Sequence, residues 1–454
     1  MKVSMFTRCT VFEDDLIIYN TFNGALASVN KNDNIEEYEY IKEIIENKFI
    51  NCEVDVEKVN CTFLEHFCVD SQVNEINMLS SDYLSRNWDP CNLYFICVIN
   101  NFCNFRCDYC YEAHDKQEFS DQLLDNLYHS IIEYSKSYKL NKVGIEWYGG
   151  EPLLSKNKIL SFTNRLNKFA EQENIALAYA ITTNGYELTP SVAKQFLAAG
   201  IRSFQITIDG NEDLHNKLRP LKNGGGTWQQ IMANLKYMAT LPEKFHVMIR
   251  VNYTIETLEH FDELLDFINA NFDKDRFSIF FHGISDWGGR SENNMNVVDE
   301  EMNTFIACEM IEKTVSKGIN ITRLNTAYAR YGKVCYASLP NHFVVSSDGG
   351  LRKCTFDMPQ FDSFNRVGDI NCGCLNVDRI KSSNFEAPKY FTHKCMNCDI
   401  LPICMNLSCP KSNLYNNDKD CTIDKVLIDK VYEAKFRLIK AGKFTATKLV
   451  GLLY

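Results

Sequence analysis

CNFRCDYC, spanning Cys103–Cys110, is followed by Trp147-Tyr148-Gly149-Gly150-Glu151-Pro152. The first stretch sets three thiols, Cys103, Cys107 and Cys110, within eight residues. A [4Fe–4S] cluster usually takes four Cys ligands, so three leave one iron open to a small molecule. A second group lies far downstream: Cys335, Cys354, Cys395, Cys398, Cys404, Cys409 and Cys421. It holds enough thiols for one or two further clusters. Together the groups use ten of nineteen cysteines and point to an iron–sulfur enzyme with several redox centres.

Working outward, strand-like and helix-like runs alternate over residues 91–325. Strands are expected at Leu93–Val98, Val143–Trp147, Ala176–Thr182, Phe204–Ile208, His246–Asn252 and Phe277–Phe281. Helices are expected at Asp121–Tyr138, Lys156–Gln172, Pro190–Ala199, Trp228–Thr240, Leu258–Asn271 and Glu300–Lys317. Such alternation implies parallel βα units. Both motifs stand at the C-terminal ends of strands, where barrels carry their chemistry. Before the barrel, residues 1–90 carry strand-like runs at Val3–Val11 and Leu16–Tyr19. Helices are expected at Asn34–Asn47 and Val56–Phe67, with another from Val73. After it, residues 326–425 are irregular, with a hairpin signal at Asp348-Gly349-Gly350. Residues 426–454 form a tail with a solvated capping helix.

CNFRCDYC and the Gly-Gly-Glu-Pro that follows resemble the radical S-adenosylmethionine (SAM) superfamily. The later cysteines resemble its SPASM extension: Cys335, Gly349, Cys354, then Cys395-x-x-Cys398, Cys404, Cys409 and Cys421. The gap before Cys409 is one residue longer than the pattern. The resemblance covers roughly residues 90–425. It implies a partial (β/α)6 TIM-like barrel, an N-terminal winged-helix-like peptide-recognition domain and a C-terminal Cys-rich SPASM domain.

It also implies roles. Cys103, Cys107 and Cys110 would hold the SAM-binding cluster and carry the catalysis. Tyr109 would lie against cluster or adenine. Gly149, Gly150 and Glu151 would approach the methionine end of SAM, the glycines because they lack a Cβ. Thr207 would bind the ribose and Arg219 the carboxylate. Cys395, Cys398, Cys404 and Cys421 would hold an outer auxiliary cluster. Cys335, Cys354 and Cys409 would hold an inner one, which leaves it a ligand short; Cys372 or Cys374 is a candidate. The other cysteines (Cys9, Cys52, Cys61, Cys68, Cys91, Cys97 and Cys308) read as ordinary thiols.

The net charge of −11 argues against nucleic acid as partner. No apolar run approaches the ~20 residues that span a bilayer, and the first residues lack a signal-like apolar core. With so many cysteines in what reads as a cytoplasmic chain, metal binding is a better account than disulfides. The resemblance implies SAM cleavage to a 5′-deoxyadenosyl radical, with electrons from flavodoxin or ferredoxin. Extra clusters suit net oxidation of a peptide.

The expected function is a maturase of a ribosomally made precursor peptide with a leader, forming thioether links from Cys sulfur to carbon. The alternatives are oxidation of Cys or Ser to formylglycine, as in anaerobic sulfatase maturation, peptide epimerisation and carbon–carbon cross-linking. Against the sulfatase reading, Thr355 stands where that group has an Asp, and Asn341 where it has an extra Cys. A zinc module would explain Cys395, Cys398, Cys404 and Cys409 but not the barrel. A ferredoxin-like carrier would explain clusters but not six βα units, and an RNA-modifying enzyme would prefer a basic face.

Overall fold

The chain begins with β1 (Lys2–Val3), then β2 (Thr7–Phe12) and β3 (Asp15–Asn20) joined by a two-residue loop. Glu13 takes positive φ (55°) at the first loop position, as such hairpins require. A further strand, β4 (Leu26–Asn30), pairs with β3 and makes a three-stranded antiparallel sheet, β2-β3-β4. β4 was not expected from the sequence: Leu-Ala-Ser-Val-Asn is only weakly patterned. β5 (Cys68–Val69) pairs with β1. The computed structural model describes all residues except 51–52, 113, 285–297, 299, 323–328, 357–361, 387–392, 411–423 and 443–454.

Tyr38, Ile41, Ile44 and Ile45 of the helix Ile35–Glu46 bury one apolar stripe in the core that holds Leu16 and Ile18 of the sheet. Asn34 caps this helix by accepting the Glu37 N–H. The helix expected over Val56–Phe67 forms only at Cys61–Phe67, because Asn60 caps it by accepting the Phe63 N–H at 2.9 Å. The helix Glu75–Asn87 follows.

Residues 1–88, 323–340 and 384–454 form one unit, and residues 89–322 and 341–383 the other. The segment 326–425 is thus divided between the two units. In the first unit, Tyr19 of β3 stacks on Tyr432 of the helix Lys425–Lys440 at 3.8 Å. Phe6, Leu79 and Tyr83 share a core with Leu401, Met405 and Leu407. Between these cores sits Asp399, one residue after Cys398. It pairs with Arg8 (2.8 Å), Lys48 (3.2 Å) and Lys425 (2.8 Å), and its carbonyl accepts from Thr21 Oγ1 at 2.7 Å. Burial raises the Asp399 carboxyl; Lys48 and Arg8 outweigh it and hold it below the usual carboxylate range. One carboxylate therefore ties the N-terminal sheet to the C-terminal cysteine segment and the last helix. Asp399→Ala leaves the nearly buried Lys48 ammonium without its carboxylate, although Arg8 keeps Asp429 at 2.9 Å, and should cost about 3–5 kcal/mol. The expected readout is a lowered thermal midpoint, with Asp399→Asn milder.

The second unit is built on one long sheet. β6 (Asn92–Asn100), β7 (Lys142–Gly149), β8 (Ala176–Thr183), β9 (Ile201–Thr207), β10 (His246–Tyr253) and β11 (Phe277–Gly283) run parallel in that order. Helices cover the connections. This is the expected partial (β/α)6 barrel. Leu93, Phe95, Cys97 and Ile99 alternate as buried residues on β6, as do Val143, Ile145 and Trp147 on β7. Cys97 is one of the ordinary core thiols. Among the described residues, no helix is long and apolar enough to cross a membrane.

The expected hairpin is present as β12 (His342–Val345) and β13 (Gly350–Arg352), followed by β14 (Arg366–Asp369) and β15 (Asn376–Val377). It does not stand apart. β12 pairs parallel with β6, His342 opposite Tyr94, and extends the barrel sheet to ten strands. Tyr94 stacks on His342 at 4.4 Å. Its ring crosses Gly144, where a Cβ would lie 2.1 Å from a ring carbon.

Burial pushes the His342 imidazole down to about 3, helped by Lys353 and Lys142. A group depressed in the folded state takes its proton more readily when unfolded. Stability should therefore be complete above the unfolded value near 6.5 and fall by at most about 1.4 kcal/mol per pH unit below it, until pH nears about 3. His342→Phe keeps the ring stack and should flatten the fall of the thermal midpoint between pH 7 and 5.

Candidate active site

The loop after β6 is held on two sides by backbone. Arg106 N–H donates to the Pro220 carbonyl (2.9 Å), Asp108 N–H to Leu218 (3.1 Å) and Lys222 N–H to Asn104 (2.8 Å). From the other side, Gly150 N–H donates to the Asn100 carbonyl and Glu151 N–H to the Phe102 carbonyl, both at 2.9 Å. A Cβ on Gly149 would lie 2.1 Å from the Asn100 oxygen, and one on Gly150 would lie 2.4 Å from the Phe102 oxygen. Gly149 also has φ 136°, in the region that favours glycine. The close approach these glycines serve in the structure is to residues 100–102, the root of the cysteine loop.

Cys103, Cys107 and Cys110 come together on this loop. Each is half-buried, and the three lie close enough for their charges to interact. Burial pushes Cys103 and Cys110 up to about 12 and raises Cys107; Arg219 lowers Cys107 and Cys110. Thiols so placed give up their protons readily only to a metal, so metal loading here would release protons. Among the described residues, no three His, Cys, Asp or Glu side chains are grouped as for a single metal ion. Thiolates on separate irons of a cluster are not required to crowd one ion.

Glu151 is fully buried, and its carboxylate is committed. It accepts from Leu153 N–H (2.9 Å), Thr183 Oγ1 (2.6 Å) and Asn184 N–H (2.7 Å). The structure thus gives it a structural task, tying the ends of β7 and β8 together. Asn184, which sequence reasoning missed, carries this to the loop. Its Nδ2 donates to Asn104 Oδ1 at 2.8 Å and lies 3.9 Å from Cys103 Sγ. The available signal was Thr183-Asn184-Gly185 at a strand end, with Gly185 at φ 79°.

Tyr109 is partly buried, and its hydroxyl is turned inward. Its hydroxyl hydrogen-bonds to Asp209 and accepts from Arg219 Nη1 (2.5 Å) and Asn252 Nδ2 (3.0 Å). Burial lifts the Tyr109 phenol well above its ordinary value, so it stays neutral. Burial raises Asp209, and Arg219, 3.9 Å away, opposes the shift. Arg219 stays charged because Cys107, Tyr109 and Asp209 outweigh its own burial. Its Nε is buried without a partner. Thr207 ends β9 opposite Arg250, nearly buried. His215 Nδ1 accepts the Asp209 N–H at 3.2 Å, which steadies the turn carrying Asp209. Asp209 and Asn252 were also missed; each is a lone polar residue at a strand end.

A family model described as "Radical SAM superfamily" matches residues 97–268. The barrel of this chain is a radical SAM domain. The Cysteine-type anaerobic sulfatase-maturating enzyme of Clostridium novyi is 23% identical over 316 residues, 66% of this chain and 83% of that protein. The Radical SAM cyclopropyl synthase TigE of Paramaledivibacter caminithermalis is 21% identical over 384 residues, 76% of this chain and 74% of that protein. Among solved structures, native anSMEcpe with bound AdoMet superposes with TM-score 0.60 at 17% identity, covering 77% of this chain and 98% of that one. That likeness concerns the fold. A radical SAM domain takes a [4Fe–4S] cluster and SAM. The residues fit the pair: three thiols on one loop with a fourth position open, and a buried guanidinium with an unsatisfied N–H.

The downstream cysteines are less fully placed. In the first unit, Cys335 N–H donates to the Leu407 carbonyl at 2.9 Å, beside the segment that carries Cys395, Cys398 and Cys404. Met405 (φ 51°) and Asn406 (φ 55°) make a left-handed turn before Cys409. Cys354 belongs to the second unit; its N–H donates to Asn365 Oδ1 at 2.8 Å. Cys421 and Cys52 lie outside the described residues.

Gly150→Ala should push the cysteine loop off its seat, because the added carbon meets three backbone atoms under 3.0 Å. Iron counting and visible absorbance after anaerobic reconstitution should show the loss seen in a Cys103/Cys107/Cys110→Ala triple variant, with the downstream signal retained. Full barrel-site iron in Gly150→Ala would contradict this account of the seat.

Proposed function

We propose that this enzyme oxidatively modifies a ribosomally made precursor peptide, joining a Cys sulfur to a carbon as a thioether. Cys103, Cys107 and Cys110 would hold the barrel cluster; Tyr109, Gly149, Gly150, Thr207 and Arg219 would line the SAM site, with Glu151 fixing its wall. The bound pair supplies a 5′-deoxyadenosyl radical that takes hydrogen from carbon. Arg219 presents its free Nε–H towards a carboxylate, and Tyr109 and Asp209 fix the guanidinium plane. The seven downstream cysteines are read as a SPASM array of auxiliary clusters. A flavodoxin or ferredoxin would supply electrons.

The observation that carries the peptide reading is the sheet at the N-terminus. β2 and β4 are both edges, so each has backbone groups that no strand of the sheet takes. Asn20 N–H donates to Ala25 and Lys31 N–H to Asp14, which fixes which residues of β3 face β4. By alternation, Arg8, Thr10 and Phe12 face β3, while Thr7, Cys9 and Val11 point their backbone outward. Lys48 Nζ already donates to the Thr7 carbonyl at 2.5 Å. Cys9 and Val11 offer the rest of that edge to an extended leader, which is the strand-addition mode of peptide capture.

Formylglycine formation is the second reading, favoured by the Clostridium novyi relative. Thr355 and Asn341 speak against it. The Asn341 side chain donates to the Asp89 carbonyl (2.9 Å), and its own carbonyl accepts the Tyr94 N–H (2.9 Å), so the residue serves the sheet.

Residues 1–88 share a core with the C-terminal segment, so deleting them would damage more than the sheet; a point change is the cleaner test. Val11→Pro removes one outward N–H without touching the β3 ladder. With a short Cys-rich precursor peptide as substrate, it should reduce modification about tenfold or more, the worth of one or two backbone hydrogen bonds. Ser28→Pro on β4 should not. Uncoupled 5′-deoxyadenosine should be unchanged in both. A thioether appears as loss of two hydrogens and one thiol. Formylglycine in a sulfatase-motif peptide, with no change in the precursor, would decide for the second reading.

A further inference from the structure

Cys372 and Cys374 are separated by one residue, Gly373. They occupy the six-residue tip of the β14–β15 hairpin, whose last pair is Asp369 opposite Asn376. Both are exposed. Between them Gly373 has φ 71°, and its N–H donates to the Ile370 carbonyl at 3.0 Å. A left-handed residue at that point folds the chain so that both side chains lie together. The Cys372 side chain leans towards Cys374, with Sγ 4.0 Å from the Cys374 carbonyl oxygen. The tip is fixed from behind: Asn126 Nδ2 donates to the Asn371 carbonyl at 2.9 Å, and His129 Cβ would lie 3.4 Å from a Cβ on Gly373.

We propose that Cys372-Gly373-Cys374 is a redox-active dithiol that exchanges with disulfides presented from solution, whether a small-molecule disulfide or the cystine of a peptide. Both thiols are open to solvent, so Cys372 as thiolate can reach a disulfide directly. Cys372 attacks one sulfur of RSSR and expels RS⁻, which takes up a proton. Cys374 then attacks Cys372 in the mixed disulfide and expels the second RS⁻. The protein pair loses two electrons and two protons; RSSR becomes two RSH. A disulfide across a single residue is strained and exposed, so it is readily reduced again, and such disulfides are the labile, exchanging kind. The inference is independent of the peptide reading.

Trypsin releases residues 367–379, VGDINCGCLNVDR, in which these are the only cysteines. Full-length, iron-loaded protein is equilibrated anaerobically over a range of glutathione to glutathione-disulfide ratios, quenched by alkylation and digested. The expected result is a reversible change in this peptide from doubly alkylated to unalkylated and two hydrogens lighter. Cys374→Ser should stop at the glutathione mixed disulfide on Cys372. A second arm offers a disulfide-bridged peptide in place of glutathione disulfide; transfer there as well would include peptide cystines in the site's range. The proposal is overturned if residues 367–379 remain doubly alkylated at every ratio, or stop at glutathionylation in the unaltered protein. It is also overturned if both thiols resist alkylation under reducing conditions because iron holds them.

Discussion

Everything in the barrel site hangs on two backbone segments meeting where no side chain fits. Asn100, Asn101 and Phe102 leave β6 with their carbonyls against Gly149 and Gly150, and the amides of Gly150 and Glu151 donate to the Asn100 and Phe102 carbonyls. The Asn100 side chain locks the join by donating to the Glu151 carbonyl and Ser155 Oγ. Placement then propagates by hydrogen bonds alone: Glu151 sets Asn184, and Asn184 sets Asn104 beside Cys103. The cysteine loop needs no helix of its own because its neighbours supply partners for its backbone.

Both units bury charge, and both do so at a junction between distant parts of the chain. In the barrel, Arg219 and Asp209 lie beside Cys107, with Tyr109 between them as a neutral hydrogen-bonding bridge. In the other unit, Asp399 gathers three cations beside Cys398. Ion pairs of this kind add little net stability over apolar packing, yet breaking one is costly. Their effect is to make one arrangement of the cysteine segments far better than its neighbours.

The βα alternation, the strand positions and the cysteine loop were legible because each is a local pattern: period-two burial, helical spacing, or fixed intervals between thiols. What was not legible depends on partners far away in sequence. β4 exists because β3 offers it an edge, not because Leu-Ala-Ser-Val-Asn favours a strand. β12 looked like one arm of a separate hairpin, and nothing in Phe343-Val344-Val345 announces β6 as its partner. Gly149 and Gly150 were read as glycines for a close approach to SAM; the backbone of residues 100–102 against them is a long-range contact that no local pattern announces. Asn184, Asp209 and Asn252 are single polar residues at strand ends, a signal too common to select.

The flanking of β6 has a mechanical meaning. It bonds to β7 along one side and β12 along the other, so the strand that leads into the cysteine loop is interior to a ten-strand sheet, while β11 and β15 are its borders. Local opening of a sheet proceeds from strands with one ladder to strands with two. Amide hydrogens of β11 and β15 therefore reach solvent through small excursions, whereas those of β6 wait for the whole unit to come apart. The loop that must hold its geometry through repeated turnover is attached to the part of the sheet that opens last.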